Sequence, residues 1–130
     1  MGKVSGTFEV DLQPQPAWDE GAGLGRLSIN KQFQGDLEAT SRGEMLSFRG
    51  AEGSAGYVAL EKVTGKLGGL GGSFVLQHSG TMTRGEGALS ITVVPDSGTG
   101  DLGGLSGSMM VENAGGEHRY TFAYSLGEKA

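Results

Sequence analysis

The chain contains no cysteine, so disulfide staples and thiolate metal sites are both excluded. It has no apolar run longer than a few residues, which leaves nothing to cross a bilayer as a helix. The N-terminus has no apolar segment of the secretory type, so no membrane association and a cytoplasmic location are the expectations. Basic charge is scarce: ten Lys and Arg stand against fifteen Asp and Glu, a net charge of −5. A nucleic-acid binder needs a basic stripe to neutralise phosphates, and none is present. Apolar spacing of the helical kind is equally hard to find.

What is present in excess is glycine, 26 residues of 130, without the three-residue period of collagen. Apolar residues interrupt the glycines throughout, and 36% of the chain is hydrophobic. That supports one modest core, and residues 1–130 are read as a single domain.

Period-two alternation recurs in almost every segment between glycine-rich breaks. The first segment places Val4, Gly6, Phe8, Val10 and Leu12 on one side and Ser5, Thr7, Glu9 and Asp11 on the other. Residues 13–23 collect Pro14, Pro16, Gly21 and Gly23 around Trp18, which predicts a long loop or flap. Alternation resumes with Leu27, Ile29, Lys31 and Phe33 opposing Arg26, Ser28, Asn30 and Gln32. Further strands are expected over 36–48, 54–67, 72–82, 88–94, around 109–112 and over 117–126, which makes eight in all. Glu38, Arg42 and Glu44 share a polar face with Thr40 on the third of these and are read as a solvated outer surface or a subunit contact.

Residues 65–74, GKLGGLGGSF, and residues 100–109, GDLGGLSGSM, match at seven of ten positions. In each a Gly-Gly pair sits between leucines, which predicts two-residue hairpins at Leu67–Leu70 and Leu102–Leu105. Strands joined by hairpins form a meander, and closing it removes the exposed edges. The fold class is therefore all-β, a single eight-stranded antiparallel up-and-down barrel.

The stretch GTGDLG at 98–103 matches a dinucleotide fingerprint by letter, but no helix follows to offer its amides to a pyrophosphate. His78 and His118 invite a metal reading, yet neither has a second histidine at helix or strand spacing. No metal and no cofactor are expected.

The chemistry-bearing cluster falls on the fourth and fifth strands. Phe74, Leu76, His78 and Met82 share one face of the fifth, which points His78 inward. On the fourth, Tyr57, Ala59, Glu61 and Val63 oppose Val58, Leu60 and Lys62, and the phase is ambiguous. With the Tyr57 face inward, its alanines leave room for a ligand, and desolvation raises the Glu61 pKa toward the range useful for proton transfer. With it outward, Glu61 is merely solvated. Glu61, His78 and Tyr57 are accordingly the candidate catalytic set, suited to isomerisation, cyclisation or enolisation. Phe8, Phe74, Leu76 and Tyr124, on inward faces, are the candidate ligand contacts. Satisfaction of the polar three by one another is the structural alternative.

The stretches FQGDLEATSRGEML, SAGYVALEKVTGKL, GSFVLQHSGTMTRG and VVPDSGTGDLGGLSGSM resemble the bacterial family known as domain of unknown function 3224, over about residues 6–126. That family is similar in fold to allene oxide cyclase. The resemblance implies an eight-stranded barrel, a homo-oligomer, and a kinship to plant enzymes that cyclise an unsaturated fatty-acid epoxide in the lumen. Two functional expectations follow. One is a lumen that binds a small, largely apolar molecule, with acid-base isomerase or cyclase activity; the other is a non-catalytic module with a packed interior that self-assembles.

Overall fold

The computed structural model describes residues 2–127. Eight antiparallel strands close in chain order: β1 (Gly2–Gln15), β2 (Leu24–Gly35), β3 (Leu37–Arg49), β4 (Ala55–Leu67), β5 (Leu70–Thr83), β6 (Glu86–Val93), β7 (Leu105–Ala114) and β8 (Glu117–Leu126). This is the expected up-and-down barrel. Among the described residues no helix is long and apolar enough to cross a membrane.

The first Gly-Gly hairpin forms as its chemistry requires. Gly68 and Gly69 have φ of 56° and 85°, the left-handed pair of a type I′ turn, and Leu67 faces Leu70 across it. The second differs. Gly103 lies at φ −57°, ψ 135° and Gly104 at φ 81°, which is a type II turn following a 3₁₀ turn at Gly100–Leu102. The reason lies in strand length. β6 stops at Val93 and pairs with β5 only from Leu76 onward, so the first part of β5 has no strand on that side. Residues 94–104 take the vacant edge. The Val94 amide donates to the Val75 carbonyl and the Thr99 amide to that of Ser73. The Ser97 and Thr99 hydroxyls accept from the Val75 and Ser73 amides, each at 3.0 Å. Similar letters therefore make different turns, because only one copy has two full-length strands to join.

Residues 13–23 also divide differently from the expected flap. Gln13, Pro14 and Gln15 belong to β1, paired to Ser28, Leu27 and Arg26, and only residues 16–23 form a loop. Pro14 is tolerated because β1 pairs with β8 only as far as Phe8. Beyond that point the other side of β1 is a sheet edge, where a missing N–H breaks no ladder.

The interior has two halves. At the end that holds the Gly35–Leu37 turn and residues 94–104, side chains fill the barrel. Phe33, Phe74, Tyr120 and Phe122 are all essentially inaccessible, and Leu102 from the crossing segment plugs the end. Each large apolar side chain buried in this way contributes about 1.5–3 kcal/mol. The Tyr120 hydroxyl accepts from the Leu37 amide at 3.1 Å and donates to the Gln34 carbonyl at 2.9 Å, tying β8 to the β2–β3 turn. The only register pair between β6 and β7, Thr92 with Ser108, lies next to the core residues Val93 and Met109; toward the opposite end no register pair joins the two strands and the lumen opens.

This uneven seam has a measurable consequence. Hydrogen exchange should run at least about tenfold faster along β6 and the facing edge of β7 than along β3 and β4, because few ladder bonds must break to open it. Uniform protection around the barrel would contradict the seam.

Candidate active site

β4 shows an inversion of ordinary burial. Val58 and Leu60 are 53% and 54% exposed, while Glu61 between Leu60 and Lys62 is 0% exposed. The strand's phase is set elsewhere, by Val63 and Leu67 in the filled half. With a period of two, a strand that turns Val63 inward must turn Glu61, Ala59 and Tyr57 inward with it. The open question of the strand's phase is thus settled in favour of the Tyr57 face.

Glu61 is held by donors from three other strands. The Lys31 ammonium on β2 donates to Oε1 at 2.9 Å, Ser41 Oγ on β3 donates to Oε2 at 2.6 Å, and His78 Nε2 on β5 lies 2.7 Å from Oε1. Lys31 itself is nearly enclosed, its Nζ 5.0 Å from the Phe8 ring centroid and 5.7 Å from that of Phe33. Those ring faces favour a cation. Gly43 on β3 faces Glu61 in register, and a Cβ there would collide with the Leu60 carbonyl and the Glu61 backbone. A larger residue would wedge β3 from β4 at the carboxylate.

Sequence reasoning expects burial to raise the Glu61 pKa, and the structure reverses that direction. Burial does push the carboxyl up, and it is the largest single influence. The His78 hydrogen bond, the Lys31 charge and the Ser41 hydroxyl together outweigh it and hold the group at about 2. Glu61 is a fixed anion at neutral pH. An ionised carboxylate only accepts, which places a ring proton of His78 on Nε2. The Tyr57 hydroxyl lies 3.4 Å from Nδ1. Burial, with the Glu61 charge added, pushes the phenol up, so Tyr57 stays protonated. Its ring packs over Gly80, where a Cβ would come within 2.5 Å of the ring edge.

Tyr57 is also where the network meets solvent-accessible space. A cavity of about 490 Å³ at the open end is bounded by Leu27, Met45, Phe48, Tyr57, Met82 and Leu89, with Arg49 among its other lining residues. A larger concavity of about 640 Å³ lies on the outer wall between Leu46, Val58 and Leu60 and touches none of Tyr57, Glu61 or His78. Of the candidate ligand contacts, Phe74 and Leu76 are buried in the filled half and Tyr124 packs against the same core cluster, its ring stacked on Phe122. Phe8 lies under Lys31 and stacks on His118 at 5.2 Å. None of the four borders the 490 Å³ cavity. Phe74, Leu76 and Tyr124 belong to the packing of the filled half, whereas Phe8 packs among Lys31, Phe33 and His118.

Lys31 and Ser41 are site residues that sequence reasoning does not single out. Lys31 leaves a signal, a lone cation in the face Leu27, Ile29, Phe33. Ser41 leaves none, being one serine among many. Among the described residues no group of three or more carboxylates and imidazoles converges as a metal site.

The fold and site define a closed antiparallel barrel, one end packed and the other open, with a buried carboxylate–imidazole–phenol chain leading to the opening. The family model described as "Protein of unknown function (DUF3224)" matches residues 4–124, and the chain belongs to that family. The chain is similar to a protein of unknown function from the same family of Shewanella oneidensis MR-1, known from a crystal structure, at 50% identity and a TM-score of 0.95, with 99% of each chain covered. No curated protein matches it.

The low Glu61 pKa makes the fold acid-sensitive in a defined window. The folded value of about 2 lies below the ordinary 4.5, so this stabilisation is complete above about pH 4.5 and is lost as pH falls toward 2, about 3 kcal/mol in total. Chemical denaturation across that interval should show the loss in the native protein and not in Glu61→Gln. Parallel curves for the two would refute the assignment. At neutral pH Glu61→Gln should also cost roughly 3–5 kcal/mol, because it strands the Lys31 charge inside.

Proposed function

We propose that the open end of the barrel binds a small, largely apolar molecule bearing a carbonyl group, and that Tyr57 exchanges a proton with it in an isomerase- or cyclase-type reaction. One observation carries this reading: Tyr57 both borders the cavity and contacts the histidine that ends the buried chain to Glu61. The walls are largely apolar and the volume falls within the range of small-molecule sites.

The proton bookkeeping is closed. A proton leaving the carbon beside the ligand carbonyl passes to the Tyr57 oxygen as the phenolic proton moves to His78 Nδ1. The resulting imidazolium is stabilised by Glu61 across Nε2, as a carboxylate supports a histidine base in hydrolytic triads. Return of the proton to a different carbon moves a double bond and regenerates the site without any co-reactant. Glu61 itself never titrates; it holds and charges the histidine.

Titration with alkyl-substituted cyclohexenones, followed by amide NMR, should move Tyr57, Met45, Met82 and Leu89. Tyr57→Phe should weaken binding about 5- to 30-fold, the worth of one hydrogen bond of about 1–2 kcal/mol. Deuterium exchange at the ligand's acidic carbon should occur with the native protein and be lost in Tyr57→Phe and His78→Gln. Shifts confined to the outer wall, or exchange that survives both substitutions, would end this reading.

A further inference from the structure

We infer that Lys31 is a positioning residue that keeps His78 a neutral proton acceptor with its lone pair on Nδ1, aimed at Tyr57. This deepens the proton-exchange reading and names a residue outside the set that touches the cavity.

Charge balance in a closed space sets the protonation of the cluster. A buried carboxylate needs about one compensating charge nearby, since an unpaired ion in the interior is far more costly than a paired one. Two groups could supply it here, because Lys31 Nζ and His78 Nε2 both contact the same Glu61 oxygen, at 2.9 and 2.7 Å. Lys31 is seated against the Phe8 and Phe33 ring faces, which favour a cation there. With the carboxylate already neutralised, a protonated imidazole would leave the cluster with an excess positive charge. His78 therefore needs only the Nε2 proton that Glu61 accepts. Without the ammonium, the same carboxylate would draw a second proton onto His78, at Nδ1. The lone pair facing Tyr57 would be lost, and the phenolic proton would have nowhere to go.

The remaining groups around His78 do not disturb this balance. Tyr57 and Glu61 face it from β4, Lys31 from β2 through the shared carboxylate, and Ser41 from β3 through the other carboxylate oxygen. Across the next strand its register partner is Ile91, which is apolar and buried. The charged neighbours Arg42 and Lys62 lie on the outer faces of β3 and β4 and are exposed.

Imidazole nitrogen NMR on the full chain at pH 7, without ligand, tests the inference, with His78 identified by loss of its signals in His78→Gln. The native protein should show Nδ1 in the unprotonated range and Nε2 in the protonated range. Lys31→Met, which retains an unbranched apolar side chain against Phe8 and Phe33, should move Nδ1 into the protonated range. Lys31→Arg should restore the native pattern. A merely structural lysine would change stability in Lys31→Met without changing this signature. A native protein whose His78 is already doubly protonated overturns the inference whether or not the variants fold, as does a folded Lys31→Met with the native pattern. Because no ligand is present, a failed enone exchange experiment leaves this result standing, and the reverse also holds.

Discussion

A carboxylate enclosed in a barrel interior must be matched by donors, and the position of Glu61 constrains everything around it. Lys31, Ser41 and His78 come from β2, β3 and β5, so the three ladders joining β2 to β5 must all be in register for the charge to be satisfied. A slip of one residue in β4 would turn Glu61 outward and Leu60 or Lys62 inward, leaving Lys31 without its counter-ion. The polar cluster thus acts as a register pin inside an otherwise apolar lumen, a specificity role attested for buried polar groups in other folds. Any chemistry at Tyr57 inherits that precision, because its ring and its histidine partner hang from the same two strands.

The division of the barrel follows from unequal strand lengths. β6 has eight residues and β5 fourteen, so residues 94–104 cross the uncovered edge of β5 and carry Leu102 into the end of the lumen. The aromatic cluster of Phe33, Phe74, Tyr120 and Phe122 fills that end completely. At the other end, β1 outruns its pairing with β8 and β6 barely meets β7, so no comparable plug forms. One half gives stability and the other leaves space. The Glu61 network sits at their boundary, dry on one side and reaching the cavity through Tyr57 on the other.

The chemistry of the site is a division of labour among residues whose environments push them apart. Glu61, despite complete burial, stays ionised because its donors outweigh desolvation, while Tyr57 is kept protonated by burial and by the anion beyond the histidine. His78 between them has Nε2 on the carboxylate and Nδ1 facing the phenol. An acceptor at one end and a neutral phenol at the other would suit the proton exchange proposed above, with the lysine beside the carboxylate.

Much of the architecture was legible from residue order. Alternation in segments such as Val4–Leu12 and Leu27–Phe33, and in residues 117–126, is a local property, because each strand advertises its buried face through its own side chains. Gly68-Gly69 declared a hairpin because few residues other than glycine accept its dihedrals. The phase of β4 was not readable, since both its faces carry apolar residues, and only packing of Val63 and Leu67 in the filled end decides between them. Lys31 stood out as a cation among aliphatics, but its partner lies thirty residues away on a strand that is not its neighbour. The direction of the Glu61 shift was misread for the same reason: desolvation can be inferred from one strand, whereas the donors that overcome it arrive from three others. Local sequence determined the strands, the turn and the kinship. Which carboxylate is buried, what holds it charged and where the lumen stays open are properties of closure, because they depend on side chains that meet only when the sheet meets itself.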